Sequence, residues 1–452
     1  MSVDKIISNI KERNPHQPEF IQSVDEVIES LTPVLEKKDI FRKYKILERL
    51  TEPERLISFR VNWLDDNGEI HVNRGYRVQM NSALGPFKGG LRFHPSVNYS
   101  ILKFLAFEQT FKNALTGMPL GSGKGGADFN PKGKSDEEIM RFCQNFMNEL
   151  FRHMGQFTDI PAGDIGVGNR EIGFLFGQYK KLRNEFAGVI TGKNVRWGGS
   201  WVRTEATGFG LIYFACNMLS TQNDSLEGKN CLVSGAGNVA QHAIEKIIEM
   251  GGKPLTVSDS SGFIYDEEGI DKDKLKVIMK IKNEDRGRIK EYLEHYSNAE
   301  YHENKDDEDY NPLWDIKADC AFPCATQNEI NKKDAENLVN NNIMLIAEGA
   351  NMPVTKEGVQ VFQDSDVMYA QGKASNAGGV AVSSIEMTQN RMGESWSREK
   401  VNKQLMNIMN TIHKDCTKAA EEYGFKKTNY VHGANIAGFT RVAHAMIEQG
   451  LT

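Results

Sequence analysis

The sequence predicts an α/β protein of two domains, a mixed α/β first domain followed by a doubly wound parallel sheet. Three observations support this. The 452 residues, 39% hydrophobic and 26% charged, have ordinary globular composition and suffice for two or three domains of roughly 150 residues. After Glu54, apolar and polar residues alternate on both sides of Asn67-Gly68, the pattern of an antiparallel hairpin. From Asn230 onward, short apolar runs alternate with helical stretches, the pattern of a parallel sheet with crossover helices.

Composition excludes several classes of function. A net charge of −6 gives no broad positive field, so nucleic acid is not an expected partner. Cys143, Cys216, Cys231 and Cys416 stand alone, while Cys320 and Cys324 miss the Cys-x-x-Cys spacing and have no second pair. No metal site is expected from them. The best apolar run, near Gly210 to Leu219, is about half the ~20 residues that a membrane-spanning helix requires. The opening Met1-Ser2-Val3-Asp4-Lys5-Ile6-Ile7 lacks the continuous apolar core of a secretory signal, so a cytoplasmic location is expected.

In chain order, Val3 to Asn14 and Pro18 to Leu35 carry apolar residues at helical spacing, among them Phe20, Val24, Val27, Ile28, Leu31 and Val34. Ile57, Phe59, Val61 and Trp63 then share one face of a strand that leads through Asp66-Asn67-Gly68 into Ile70, Val72, Tyr76 and Val78. Gly85-Pro86-Phe87-Lys88-Gly89-Gly90-Leu91-Arg92 follows, then a helix on which Gln109 and Lys112 stand three residues apart on one face. Pro119-Leu120-Gly121-Ser122-Gly123-Lys124-Gly125-Gly126 places one more lysine among glycines, which reads as an exposed, tightly turned loop. A phosphate loop would need glycine at Met118 and a hydroxyl residue at Gly125, so that reading fails twice. Two readings remain for the stretch, a solvated surface turn or a lysine beside a bound anion. Lys88, Lys112 and Lys124 converging through two glycine stretches and a helix favour the anion. Ser135 with Glu138 reads as a capping box. Asp164, between Gly163 and Gly166, fits either a helix cap or a carboxylate poised to exchange protons.

The second domain opens with the strand Asn230-Cys231-Leu232-Val233-Ser234, the run Gly235-Ala236-Gly237-Asn238-Val239-Ala240, and a helix through Ala243, Ile244 and Ile247. A strand, a G-x-G-x-x-A turn and a helix are the context in which backbone amides and a helix N-terminus hold the diphosphate of a dinucleotide. A second strand, Pro254 to Val257, ends at Ser258-Asp259-Ser260-Ser261. Further strands are expected at Asp319 to Phe322, Ile343 to Ala347 and Val367 to Tyr369. Their ends place Ala325-Thr326, Glu348 to Asn351 and Lys373 to Val380 at the carboxyl edge, where ligands of such sheets bind. Glu303 to Asp309 reads as an acidic solvated loop, and Val401 to Tyr423 and Ala434 to Gln449 as amphipathic helices.

Gly85 to Pro95, Pro119 to Asp128, Pro161 to Gly168, Arg203 to Gly210, Glu348 to Pro353 and Asn376 to Ser383 together resemble the glutamate dehydrogenases, over nearly the whole chain. The likeness is to the short, hexameric, NADP-preferring type within the Glu/Leu/Phe/Val dehydrogenases. It implies a substrate-binding and oligomerisation domain over residues 1–201 and a Rossmann domain over 202–424, with the C-terminal helix over 425–452 packing back on the first. It also implies that Lys124 is the catalytic lysine and Asp164 the proton-transferring aspartate. Gln109 and Lys112 would hold the α-carboxylate, Lys88 and Ser383 the γ-carboxylate, with Gly89, Arg203 and Val380 beside them. Thr207, Ser234, Gly235, Gly237, Asn238, Val239, Asp259, Ser260, Ala325, Thr326, Asn351 and Asn376 would line the cofactor. Thr204, Asn130 and Ser384 depart from the family pattern, and none removes a catalytic group.

The activity implied is the reversible oxidative deamination of L-glutamate to 2-oxoglutarate and ammonium. A lysine titrates near ~10.4 in isolation, and a second positive charge ~6 Å away at an effective dielectric of ~20 lowers this by roughly two units. Lys124 would then be neutral often enough to activate water. Rivals are an NAD-linked glutamate enzyme, a leucine- or phenylalanine-type dehydrogenase, and a non-catalytic nucleotide-binding relative. An apolar substrate would leave Lys88 unpaired, which disfavours the second. The cofactor signals conflict. An acid ending the second strand, Asp259, repels a 2′-phosphate and favours NAD. The resemblance of Ser258 to Gly262, together with Lys282 and Lys132, implies NADP, which is the expectation taken.

Overall fold

The computed structural model describes residues 3–304 and 309–451, and the chain divides into two compact units. The first comprises Met1–Arg203, Val380–Asn402 and Asn435–Thr452, the second Thr204–Gly379 and Lys403–Ala434. Most of the acidic stretch expected as a solvated loop, and the first two residues, lie outside the described residues.

The first unit is built on a five-stranded sheet of β1 (Arg55–Leu64), β2 (Ile70–Asn81), β3 (Phe87–Phe93), β4 (Ser122–Ala127) and β5 (Asp159–Gly163), in the order β1-β2-β4-β3-β5. β1 and β2 form the hairpin that Asn67-Gly68 predicts, with Leu64 opposite Ile70 and Gly68 at φ 82°. β3 runs parallel to both β4 and β5. The sheet packs Trp63 and Phe93 against Phe129, Phe142 and Phe146 of the following segment, Phe129 and Phe142 stacking at 3.8 Å. Ser135 and Glu138 form the predicted capping box at the start of the Asp136–Leu150 helix.

Both glycine stretches differ from expectation. They are central strands, not exposed turns, and every residue of β4 is buried. Glycine is required there by close approach. A Cβ on Gly89 would lie 1.7 Å from the Gly123 carbonyl oxygen, and one on Gly90 would lie 2.8 Å from Cβ of Asp164. The fully buried Arg77 of β2 lies against these strands. Its guanidinium donates to Asp159 at 2.9 and 2.5 Å and to the Gly89 carbonyl at 3.0 Å, and the Gln79 amide donates to Asp159 at 2.8 Å.

The unit boundaries also differ from the expected 202–424 and 425–452. Residues 380–402 belong to the first unit because the buried Glu386 accepts the Gly192 amide at 2.9 Å and pairs with Lys193 at 2.7 Å. The returning segment starts at Asn435, which donates to Ser30 Oγ at 3.0 Å, and Phe439 packs edge-on against Phe41. Tyr430 instead meets His413 and Phe214 in the second unit.

The second unit holds β6 (Asn230–Val233), β7 (Lys253–Pro254), β8 (Thr256–Asp259), β9 (Gly262–Tyr265), β10 (Glu300–Glu303), β11 (Cys320–Phe322), β12 (Leu345–Ala347) and β13 (Met368–Ala370). A parallel sheet has the doubly wound order β13-β12-β11-β6-β7, so the chain leaves β6 toward β7 and later continues on its other side at β11. The crevice beyond the ends of β6 and β11 is therefore the switch point at which such sheets bind ligands. The expected strand Pro254 to Val257 is divided. Pro254 pairs with β6, whereas Thr256–Asp259 enters a separate antiparallel sheet, β10-β9-β8, that four-residue strands gave no periodicity to announce. Among the described residues, no helix is long and apolar enough to cross a membrane.

Candidate active site

Three neighbouring strands of the first unit deliver its charged groups. Lys88 and Arg92 stand on one face of β3, Lys124 is on β4, and Asp164 follows β5 directly. Lys124 Nζ lies 3.3 Å from Asp164 Oδ1, and Arg92 Nε donates to Asp164 Oδ2 at 2.7 Å. Gly90, between Lys88 and Arg92, leaves the space that Asp164 fills. Asp164 does not cap the following helix, which takes its cap from Glu171 at the Gly168 amide, 2.7 Å away. The capping alternative for Asp164 is thereby removed.

The Tyr99–Leu115 helix brings Lys112 within the field of Lys124, Asp164 and Arg203. Asn113, one residue on, pins this helix to the sheet by donating to the Lys88 carbonyl at 3.0 Å and the Gly121 carbonyl at 2.6 Å. Gln109 donates to Asn113 Oδ1 at 2.6 Å, so its amide steadies that anchor. Ser383 is buried on the Gly378–Met392 helix, which Val380 enters two residues from its start. One turn beyond Ser383, Glu386 acts on the charges of both Lys88 and Arg203, which places this helix face beside them.

Burial dominates the electrostatics. Lys88, 1% exposed, is held well below the ordinary lysine range by desolvation, reinforced by Arg203 and Arg77. Desolvation and the Lys124 charge bring Lys112 down to about 8. Lys124 is lowered first by desolvation, with Asp164 opposing and Arg92 and Arg77 assisting. The expected cause, a neighbouring positive charge, is thus the lesser one. Desolvation works against the Asp164 carboxylate, but Lys124 and Arg92 outweigh it and keep the group ionised. The result is a desolvated cluster of cations with Asp164 ionised among them, a chemistry suited to an anionic ligand and to proton transfer.

In the second unit, Gly237 caps the Asn238–Glu249 helix, and nothing lies within 4 Å of where its Cβ would stand, so the helix N-terminus is open. Gly235, at φ 84°, donates its amide to Ser258 Oγ at 2.7 Å, and Ser234 Oγ accepts the Cys324 amide at 2.9 Å. Val239 lies in the first helical turn, and Asn238 donates to the Thr204 carbonyl at 2.6 Å. Thr207 lies near the start of the Ala206–Ser220 helix. Ala325 and Thr326 are exposed in the loop after β11, and Asn376 donates to Asn351 Oδ1 at 3.2 Å.

Asp259 ends β8 and receives Lys282 Nζ at 2.9 Å, the Ile289 amide at 2.9 Å and Ser261 Oγ at 2.6 Å. Burial raises its pKa, but the hydrogen bonds from Ser261, the Ile289 amide and Lys282 outweigh this and bring it to about 2. Arg288, which the sequence reading missed, reaches Ser260 Oγ at 2.7 Å and adds a second cation to Lys282. Its separation from Asp259 in sequence left no local signal. Arg92 carries no signal for the opposite reason, since it lies within the Gly85 to Pro95 stretch, where the glycines and Lys88 are the distinctive residues. Lys132 is exposed in the first unit, in the turn before the Asp136–Leu150 helix.

A family model described as Glutamate/Leucine/Phenylalanine/Valine dehydrogenase matches residues 198–450, and another, described as the dimerisation domain of the Glu/Leu/Phe/Val dehydrogenases, matches residues 53–181. The chain is 56% identical over 453 residues to an NADP-specific glutamate dehydrogenase of Giardia intestinalis, with 99% of each chain covered. It is 55% identical over 452 residues to an NAD(P)-specific glutamate dehydrogenase of Xylanibacter ruminicola, with 100% of both covered. The structure is similar to the crystal structure of Plasmodium falciparum glutamate dehydrogenase, with TM-score 0.96 and 50% identity over 99% of this chain and 94% of that one. On full-length likeness of sequence and fold, the chain belongs to the Glu/Leu/Phe/Val dehydrogenase family.

Proposed function

We propose that the chain catalyses the reversible oxidative deamination of L-glutamate to 2-oxoglutarate and ammonium, with NADP as the hydride acceptor and NAD used less. The observation that carries this is the set of Lys88 and Lys124, buried, with the half-buried Lys112 and Arg203, and Asp164 fixed between Lys124 and Arg92. Lys88, Arg203 and Ser383 hold the γ-carboxylate, and Lys112 with Gln109 holds the α-carboxylate. A leucine-type substrate would leave the buried Lys88 ammonium facing methyl groups, which is costly. When bound, the nicotinamide cofactor accepts the hydride from the substrate α-carbon.

Asp164 takes the proton that the substrate ammonium must lose, since Arg92 and Lys124 hold it ionised. Neutral Lys124 then removes a proton from the water that attacks the imine carbon. In its protonated form it stabilises the oxygen of the resulting carbinolamine. Asp164 returns its proton to the departing nitrogen, and the carbinolamine hydroxyl releases its proton to solvent as the C–N bond breaks and the carbonyl forms.

The open N-terminus at Gly237 and the Gly235 turn fit a diphosphate. Lys282, Arg288 and the Ser260 hydroxyl supply the cations and donor that fit a 2′-phosphate, outweighing Asp259, whose charge Lys282 already offsets. We further propose that the protein works as a homohexamer in the cytoplasm; a measured mass of about one chain by light scattering would refute the assembly. Initial rates at 340 nm for glutamate and for leucine, each with NADP and with NAD, test the activity. A preference for leucine or for NAD, or no turnover with any pair, would overturn the corresponding part of the reading.

A further inference from the structure

Glu329 lies in the loop after β11, at the crevice between the ends of β6 and β11 where the strand order reverses. Its Oε1 accepts the amides of Ala325 at 3.0 Å and Thr326 at 3.3 Å, and the Ser234 hydroxyl after β6, which itself accepts the Cys324 amide at 2.9 Å, acts on its carboxyl. One half-buried carboxylate thus holds one rim of the crevice and lies in the field of the other. The loop does not depend on it for its path, because the Asn328 amide donates to the Met352 carbonyl and the Ile330 amide to the Pro353 carbonyl, each at 2.9 Å. The groups that act on Glu329 are the Ser234 hydroxyl, the Ala325 and Thr326 amides and the carboxylate of Asp334 on the next helix, and Glu329 in turn raises the Cys324 thiol. Desolvation, aided by Asp334, outweighs these hydrogen bonds and pushes Glu329 up to about 7.

We propose that Glu329 is a proton-linked positioning residue of the cofactor site, taking up one proton from solvent when an anionic dinucleotide occupies the crevice. This rests on the cofactor reading above. A diphosphate lodged on the neighbouring helix N-terminus makes an ionised carboxylate in the same crevice more costly, so binding favours the protonated acid. The acid keeps its function as a clamp. Its carbonyl oxygen still accepts both amides, and its new O–H becomes a donor toward Ser234 Oγ or a ligand hydroxyl. Dinucleotide affinity therefore falls as pH rises through neutrality. A rise of one pKa unit on binding corresponds to roughly a tenfold change in affinity.

The test measures dissociation constants of NADPH and NADH by fluorescence between pH 6 and pH 8.5 for the wild type, Glu329→Gln and Asp334→Asn. NADH is included because the 2′-phosphate of NADPH titrates near ~6 itself. Asp334 is included because burial brings it to about 6. The expected result is roughly tenfold weaker binding of NADH at pH 8.5 than at pH 6 in the wild type and in Asp334→Asn, and a change below about twofold in Glu329→Gln, with NADPH showing the same difference between wild type and Glu329→Gln on top of its phosphate titration. A flat wild-type profile, a Glu329→Gln profile as steep as the wild type, or a profile flattened by Asp334→Asn would overturn the inference while leaving the cofactor reading intact. Failure of both dinucleotides to bind the wild type at any pH would overturn the cofactor reading and this inference with it. Should Glu329→Gln not fold, calorimetry of the wild type in two buffers of different ionisation enthalpy decides, with proton uptake supporting the proposal and none refuting it.

Discussion

Replacing Asp164 with Asn should lower the pKa of Lys124, and the size of the effect follows from one distance. Nζ and Oδ1 lie 3.3 Å apart. Two unit charges at that separation, at an effective dielectric of about 20, interact by about 5 kcal/mol, or roughly 3.7 pKa units. The sign is fixed, because a carboxylate favours the protonated lysine and its removal frees the neutral amine. Arg92, left without its counter-charge beside Lys124, pushes in the same direction. Even a quarter of the full coupling moves the lysine by about one unit. The assay is the labelling rate of Lys124 by an amine-directed electrophile such as trinitrobenzenesulfonate between pH 5.5 and pH 9.5, followed by peptide mass spectrometry. Only the neutral amine reacts, so the midpoint of the profile reports the pKa without requiring turnover. The variant should have lost turnover by several orders of magnitude, yet show a midpoint at least one unit lower. An unchanged or raised midpoint would refute the assignment of Asp164 as the counter-charge that governs Lys124.

Three further outcomes are expected. Lys88→Leu combined with Ser383→Val should lower kcat/KM for glutamate by more than about a hundredfold and raise it for leucine, since the buried ammonium is exchanged for apolar surface; continued preference for glutamate would relocate the γ-carboxylate site. Lys282→Glu, which sets two carboxylates where a 2.9 Å ion pair now stands, should lower kcat/KM for NADPH at least tenfold relative to NADH, and equal losses with both cofactors would count against a 2′-phosphate contact. Asp159→Asn should destabilise the first unit by about 3–5 kcal/mol, because Arg77 is left charged and buried without its partner. For a unit of about 240 residues this lowers the melting temperature by roughly 10 °C, and a drop of under 2 °C by calorimetry would show the pair to be dispensable.

What the sequence made legible was what local chemistry dictates. The Asn67-Gly68 turn, the Ser135 capping box and the strand–glycine–helix of the nucleotide unit each place a distinctive residue where only a few backbone geometries accept it. Lys124 stands out in the sequence as a lysine among glycines, but its setting does not, because glycines that permit a turn equally permit two strands to pack closely over a buried arginine. Nothing near Gly89 in sequence announces that the Gly123 carbonyl lies across from it. The antiparallel sheet of β8, β9 and β10 escaped notice because four-residue strands carry too few residues to establish alternation. Arg288 at the Asp259 loop and Glu386 at the Lys88 pocket meet their partners only after folding, and each is 28 or more residues distant from the group it serves. The lysines and Asp164 were therefore readable, while the partners that fix their charges, Arg92 and Glu386, were not.

Neither unit is made from one uninterrupted piece of chain, and this constrains the order of events during synthesis. When Arg203 leaves the ribosome, the β1–β5 sheet is complete, yet Lys193 lacks the carboxylate that will bury it and Phe41 lacks the ring that will cover it. Those partners arrive only with residues 386 and 439. Until then an apolar groove and an unneutralised ammonium face solvent, the condition under which nascent chains associate wrongly. A chain interrupted before Asn435 would hold the nucleotide sheet whole and yet lack residues 435–452, which complete the part of the protein made first.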